Sequence, residues 1–453
     1  MSESAPMSIN DRWNNRALFR LLWPLVIEQI LAVSMGTADT LMISTVGEAA
    51  MSGVNIIVNI NQLLIIAFIA MSTGGAVVCS QYIGRLDYDN SRIASKQLVY
   101  IVCFISLIIT ALTLIFREHI IYLFYGEIES DVMEPAMIYF FISALSYPLL
   151  GFYNASAALM RSSGDSKTPM MVSILVNIMH IGGNFIFLYG FNLGIIGLGL
   201  SSLLSRSVAS LILLSMLMKN KNSPVSIYGL LKIKFVPAMA KRIFNIGIPA
   251  ALEQSMFQFG RLFTQRIFPV FGTSIMAANA VAGTINSFAF MSGNAFIVAM
   301  MTVVGQSIGA GDYKAAKKHT YKLVGLTWVS VAVVSILIYL LRAPLIGMFN
   351  LSPEAESAAN DFIGLISIFM AIAWSTSFAP PAALRAAGDA KFVMIIGILS
   401  MWFVRVILAY ILTFNLGLGP IGVWIAQGMD FIVRSICFGL RWKSGRWEKI
   451  KVI

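Results

Sequence analysis

The sequence predicts an all-α polytopic membrane protein, with twelve transmembrane helices in two six-helix lobes related by a pseudo-two-fold axis along the membrane normal. Three observations predict it: the composition, the number of long apolar stretches and an internal duplication. Of 453 residues, 58% are hydrophobic and 12% are charged, whereas a soluble chain is about a quarter charged. This composition leaves almost no residues for a soluble domain.

Twelve apolar stretches are each long enough to cross the hydrocarbon core of a bilayer, which takes about 20 helical residues. They are too long for the strands of a membrane barrel, which have about 10 residues. The polar start of the chain carries no cleavage signal, so we expect the first stretch to be retained. The stretches lie at 17–44, 54–78, 93–115, 134–158, 168–190, 195–218, 240–268, 279–304, 320–341, 358–383, 392–414 and 418–440.

The net charge of +11 follows the predicted topology. Lys and Arg gather in the tails and in the connections after every second span, whereas the connections at 116–134 and 342–361 are the acidic ones. The positive-inside rule then predicts cytoplasmic termini in a plasma or inner membrane, with anionic lipids rather than nucleic acid as the partner of the basic residues. The three cysteines have no paired or metal-binding spacing.

A repeat of about 225 residues divides the chain into halves. "QYIGRLDY" at 81–88 matches "QSIGAGDY" at 306–313, and "LMRSSGDSK" at 159–167 matches "ALRAAGDAK" at 383–391. The motif Pro-x-x-x-Glu-Gln also occurs twice, as Pro24, Glu28 and Gln29 and as Pro249, Glu253 and Gln254. Six spans per half give a parallel repeat about an axis along the membrane normal, which predicts a pathway between the lobes.

The repeat sets the predicted domain boundaries. An N-terminal cytoplasmic tail (1–16) precedes the N-lobe (17–218), and a cytoplasmic linker (219–239) leads to the C-lobe (240–441) and a basic cytoplasmic tail (442–453). The linker alternates apolar and Lys residues, which suits an amphipathic segment on the inner membrane surface.

Several polar residues inside the spans are candidates for function. Pro24 and Pro249 remove a backbone hydrogen bond and can bend their helices, although Pro24 could instead occupy an early turn. Glu28 and Glu253 either bridge helices or meet substrate or ion. Asp39 lies deep in span 1, where a carboxylate is a functional hypothesis by default.

The polar residues of span 2 lie on one helical stripe, which lines water or joins helices. Asp430 and Arg434 are four residues apart and are predicted to pair with each other. The predicted substrate cavity consists of Glu28, Gln29, Asn55, Asn59, Gln62, Glu253, Gln254 and Phe257.

The sequence resembles the multidrug and toxic compound extrusion (MATE) family over essentially its whole length. The resemblance rests on "WPLVIEQILAVSMGTADTLMISTVG", "STGGAVVCSQYIGRLD", "VGQSIGAGD", "LRAAGDAK" and "DFIVRSICFGLRWKSGRW". It implies a twelve-helix, two-lobed antiporter that uses an inward Na⁺ or H⁺ gradient to export cationic or amphiphilic compounds.

The resemblance also assigns positions. Asp39 matches the first-helix acid implicated in cation binding. His180 and Asn184 stand where some members carry Asn and then Asp, Ser202 stands where Thr is common, and Phe257 replaces an acid of the second lobe.

The sequence allows two coupling ions, Na⁺ and H⁺. A Na⁺ site could take its oxygens from Asp39, Asn177, Asn184 and Ser202. Coupling to H⁺ needs only a buried carboxylate, and His180 could relay its proton or tune its pKa. We favour H⁺.

A lipid-linked precursor flippase of the same superfold is the alternative function, although the acids Asp39, Glu28 and Glu253 disfavour it. No catalytic set, nucleotide loop or cofactor motif is present, which predicts a protein that is not an enzyme. We expect a monomer, with no metal site apart from Na⁺ at Asp39.

Overall fold

The computed structural model describes residues 12–43 and 45–453, and all regular elements among these residues are helical. Residues 1–11 of the predicted N-terminal tail lie outside the described residues. The described chain divides into two compact units. One, here called the N-unit, is Phe19–Ala251, and the other, the C-unit, joins Leu252–Ile453 to the segment that ends at Leu18.

The N-unit contains the helices of the first half and the start of α8. They are α1 (Asn15–Ile43), α2 (Glu48–Gly84), α3 (Tyr88–Tyr125), α4 (Ser130–Leu145), α5 (Tyr147–Ser162), α6 (Lys167–Gly190), α7 (Gly194–Lys219) and α8 (Pro237–Gln265). Helix α2 packs against α3, α4 and α5. The apolar core contains Ile57, Phe68, Phe140 and Tyr147.

The C-unit repeats this arrangement. Its further helices are α9 (Thr273–Gly309), α10 (Tyr313–Leu340), α11 (Arg342–Gly347), α12 (Pro353–Ala386), α13 (Ala390–Asn415) and α14 (Ile421–Lys443). Helix α9 packs against α10 and α12, as its counterpart α2 packs in the N-unit, and Phe362, Trp374, Trp424 and Phe431 form the core. Helices α2 and α9 begin and end at positions 225 residues apart.

Each of the twelve predicted spans falls on a helical segment, which confirms the predicted fold class. Among the described residues, ten helices are long and apolar enough to cross a membrane, and the pair α4 and α5, bent by 46°, makes an eleventh. The remaining segment, α8, has 29 residues and is less apolar than these helices, because it carries Lys241, Arg242, Glu253 and Arg261.

The repeated Gln-x-x-Gly motif forms the same turn in each half. Asp87 accepts a hydrogen bond from the backbone N–H of Asn90 and caps α3, while Asp312 accepts one from Ala315 and caps α10. The residue before each aspartate, Leu86 or Gly311, has a left-handed backbone. Helix capping therefore explains the aspartate that follows each motif.

The linker is not helical between 220 and 236. It is attached to α3, because Gln97 donates to the carbonyl of Lys234 at 2.7 Å and Tyr100 donates to that of Leu230 at 2.6 Å. Leu231 and Ile233 are 85% and 80% exposed. Apolar side chains that project between lysines suit the surface-lying segment predicted from sequence.

Candidate functional site

Three polar side chains meet inside the N-unit. Nε2 of His180 lies 2.7 Å from Oδ1 of Asp39, and the amide nitrogen of Asn184 donates to the same oxygen at 2.8 Å. His180 and Asn184 are four residues apart on α6 and therefore share one face. His180 and Asn184 are buried, whereas the side chain of Asp39 is 38% exposed. One carboxylate oxygen thus faces two nitrogens while the residue keeps access to the surroundings.

Two serines of helix α7 contact His180 on the side of Nδ1 and of its backbone carbonyl. The hydroxyl of Ser201 donates to the carbonyl of His180 at 2.6 Å, and the hydroxyl of Ser205 lies 3.5 Å from its Nδ1. Gly183 makes this approach possible, since a Cβ there would lie 2.6 Å from Oγ of Ser201. The hydroxyl of Ser205 also donates to the backbone carbonyls of Ser201 at 2.8 Å and Ser202 at 3.1 Å, so both ring nitrogens of His180 lie beside groups that can accept a hydrogen bond, Asp39 at Nε2 and Ser205 at Nδ1.

Two residues of the predicted coupling set make different contacts. The amide of Asn177 donates to the carbonyl of Ser173 at 2.9 Å, one turn earlier on α6. Ser202 is buried and bonds to the side chain of Tyr139. The structure therefore brings together Asp39, His180 and Asn184.

The polar stripe of α2 is exposed. Asn55, Asn59 and Gln62 are all solvent-accessible, and Asn59 donates to the hydroxyl of Tyr125 at 3.3 Å. Exposed amides on an otherwise apolar helix suit a wet surface better than hydrocarbon.

The two repeated glutamates form equivalent ion pairs. Oε2 of Glu28 accepts from Arg161 at 2.8 Å, and Oε2 of Glu253 accepts from Arg385 at 2.7 Å. Both glutamates are buried. Each arginine comes from the repeated Arg-x-x-Gly-Asp motif, so two motifs that looked separate in the sequence are bonded to each other in both halves.

The sequence left open that each glutamate bridges helices, but the partners were missed because the arginines were interpreted only as topology signals. The signal that could have found them is the repeat itself, in which one acid and one base recur together. Pro24 and Pro249 lie inside their helices, well beyond the first turn. Gln29 and Gln254 are half-buried beside the paired glutamates.

A second charged cluster lies inside the C-unit. Asp430, fully buried, accepts from Nε of Arg434 at 2.8 Å and from the hydroxyl of Ser400, which confirms the predicted pair with Arg434. Arg405 adds an ion contact at 3.4 Å. It comes from a π-helical stretch of α13, Ser400–Ile407, whose register the sequence pattern does not reveal.

Phe257 lies close to both guanidinium groups of this cluster. Its ring centre lies 5.2 Å from Arg405 and 5.3 Å from Arg434, distances at which a cation is attracted to an aromatic face. The position that the family resemblance gives to an acid is thus an aromatic contact for two arginines. Across the described residues, no group of three or more His, Cys, Asp or Glu side chains is placed to hold a metal ion.

The two repeated helical units and the intramembrane carboxylate define a duplicated, multi-pass α-helical membrane protein. The chain belongs to the MatE family, whose model matches residues 24–186 and 249–411. The two matches stand 225 residues apart, which confirms the duplication inferred from the sequence.

The known proteins that resemble this chain match it over nearly its whole length. The chain is 28% identical to the uncharacterized transporter YisQ of Bacillus subtilis, over 95% of this chain and 94% of that protein. It is 28% identical to the probable multidrug resistance protein NorM of Thermotoga maritima, over 97% and 94%. A solved structure described as the outward-facing conformation of a multidrug resistance MATE family transporter has the same fold, with a TM-score of 0.89, 19% identity and coverage of 99% and 100%.

Proposed function

We propose that the chain is a secondary active antiporter that exports cationic or amphiphilic small molecules in exchange for H⁺ or Na⁺. Membership of the MatE family and the multidrug resistance proteins among its relatives support this function over the lipid flippase. The single observation that carries the coupling part is the contact of Asp39 with His180 and Asn184. An ionisable group within a membrane span marks an ion or proton pathway by default.

The coupling ion that we propose is H⁺. Both close neighbours of Oδ1 of Asp39 are nitrogens, whereas Na⁺ requires oxygen ligands. Asn184 would have to rotate its amide to offer an oxygen, and His180 has none. A proton moving between Asp39 and His180 needs no such rearrangement, and Ser205 stands behind the second ring nitrogen.

In the proposed transport cycle, a proton and a cationic substrate compete for the carboxylate of Asp39. Outside protons neutralise Asp39, and the weakened contact with His180 favours the conformation that opens inward. Release of the proton inside restores an anion that can accompany a cationic substrate. A carboxylate that accepts either a proton or a cationic substrate couples the two in opposite directions.

We place the protein in the cytoplasmic membrane as a monomer, with its termini inside. Small molecules are its transported partners, and membrane lipids surround it. No cofactor and no enzymatic step enters this mechanism.

The test is efflux of a cationic dye by inside-out vesicles under separately imposed H⁺ and Na⁺ gradients. We expect a H⁺ gradient alone to drive uptake into the vesicles, and Asp39→Asn to abolish it. Asp131→Asn, the same change at an exposed position, is the matched control and should keep full activity. Transport driven by Na⁺ at equal pH on both sides would reject H⁺ coupling, and undiminished transport by Asp39→Asn would reject the site.

A further inference from the structure

A basic cavity of about 450 Å³ lies inside the C-unit, between the start of α1 and the second and third turns of α10. It is lined by Trp13, Asn14, Asn15, Arg16, Lys318, His319 and Lys322. Three of these residues are cationic and none is acidic. This cavity plays no part in the transport mechanism proposed above.

Two buried side chains at this cavity lack partners. His319 is 3% exposed and Trp13 is 6% exposed. Within the described residues, neither ring nitrogen of His319 has a hydrogen-bond partner, and the indole nitrogen of Trp13 has none. A buried polar group without a partner costs about 1–3 kcal/mol. The indole of Trp13 and one nitrogen of a neutral imidazole are donors, so two N–H groups of residues that line this cavity lack an acceptor.

The charges around the cavity favour an anion as that acceptor. Lys318 and Arg16 are exposed, and Lys322 donates to the side-chain oxygen of Asn15. The N-terminal end of α1, where the helix dipole is positive, borders the cavity as well.

The acidic residues near the cavity already have other partners. Asp312 caps α10, and Glu448 pairs with Lys317 at 2.6 Å. Among the described residues that line the cavity, no carboxylate neutralises its three cations.

We propose that this cavity is a binding site for a phosphate-bearing anion, namely the phosphodiester headgroup of an anionic lipid. The N-terminal segment and the start of α10 belong to the face that the positive-inside rule assigns to the cytoplasm, where anionic headgroups are available. Phosphate oxygens accept from an indole N–H, an imidazole N–H and lysine together. Occupancy would fasten the N-terminal segment to α10.

The experiment is a titration of the full-length purified protein with short-chain phosphatidylglycerol, phosphatidylcholine or inorganic phosphate, with bound molecules counted by native mass spectrometry. We expect one phosphatidylglycerol to bind more tightly than phosphatidylcholine. Each lysine near an anionic surface contributes about fivefold in affinity, so Lys318→Gln with Lys322→Gln should weaken phosphatidylglycerol binding about 25-fold.

The matched control removes the same charge elsewhere. Lys232→Gln with Lys241→Gln changes two exposed lysines of the N-unit and should leave the affinity unchanged. Equal weakening by both pairs would show general attraction to the surface and overturn the site. Binding of inorganic phosphate that is sensitive to the first pair only, without phosphatidylglycerol binding, would keep the phosphate site and overturn the lipid as its source.

A third variant separates binding from folding. His319→Phe keeps a flat ring and removes both unpartnered nitrogens, so the anion-free protein should unfold at the same temperature or higher. Its affinity for phosphatidylglycerol should fall about tenfold, as expected for loss of a hydrogen bond to a charged group. Unchanged affinity in this variant would exclude His319 from the site and contradict the proposal.

Discussion

The ion pair between Glu253 and Arg385 should contribute more to stability than the ion pair between Glu28 and Arg161. The side chains of Glu253 and Arg385 are 9% and 13% exposed, whereas Arg161 is 23% exposed. Removal of one partner of a buried pair costs about 3–5 kcal/mol, because the other charge stays buried and uncompensated. We therefore expect Glu253→Gln to cost about 3 kcal/mol and Glu28→Gln to cost less, since solvent screens Arg161 more effectively.

The packing around Glu253 determines which substitutions can test this ion pair. A Cβ at Gly397 would lie 2.8 Å from Cγ of Glu253, so α13 closes on this side chain and an exchanged arginine would not fit. Neutral substitutions are therefore preferable to a charge swap. The set is Glu253→Gln, Arg385→Met and their combination, with Glu356→Gln at an exposed position as the control.

The measurement is the free energy of unfolding of each variant in detergent, analysed as a double-mutant cycle. We expect a coupling energy of about 2–3 kcal/mol, with the double variant more stable than the sum of the single losses predicts. Additivity within about 0.5 kcal/mol, or a loss for Glu253→Gln no larger than that of the control, would refute the ion pair as a stabilising contact.

Three further predictions concern the coupling site and the topology. His180→Asn should retain dye efflux but change its dependence on pH, and a pH profile identical to that of the parent protein would remove His180 from the coupling step. Gly183→Ala should lower stability by about 1–3 kcal/mol through the clash with Ser201, whereas Ala at the adjacent Gly182, which has nothing within 4 Å, should cost little; equal losses in thermal unfolding would contradict this. Single cysteines at 129 and 222 in a cysteine-free background should differ in intact cells, with an impermeant thiol reagent labelling only the one at 129, and labelling at 222 would overturn the orientation.

The helices and the duplication follow from the sequence because both depend on local patterns. Hydropathy reports how each segment partitions into a membrane, and the repeat reports which segments share a structure. The fourth span was predicted as one continuous stretch, whereas the structure bends it between Leu145 and Tyr147. That bend depends on packing within the unit, which hydropathy does not measure.

The site was predictable in part. Asp39 and His180 could be selected because charged or titratable groups are costly inside a membrane, and the spacing of four places Asn184 on the same face as His180. The contacts of Ser202 and the position of Arg405 could not be derived in this way. The first depends on which helix packs beside α7, and the second on a π-helical turn that changes the register of α13.

The turns before Asp87 and Asp312 both have a left-handed residue, but they differ in how well each would accept the sequence of the other half. Leu86 and Gly311 occupy equivalent positions, with φ of +63° and +74°. Glycine adopts this backbone freely, whereas a residue with a Cβ bears a cost of about 1–2 kcal/mol. In chimaeric chains, replacing "GRLD" of the first half by "GAGD" should therefore lower the backbone strain of the first turn. The reverse exchange would put a leucine into the left-handed position of the second turn and raise its strain.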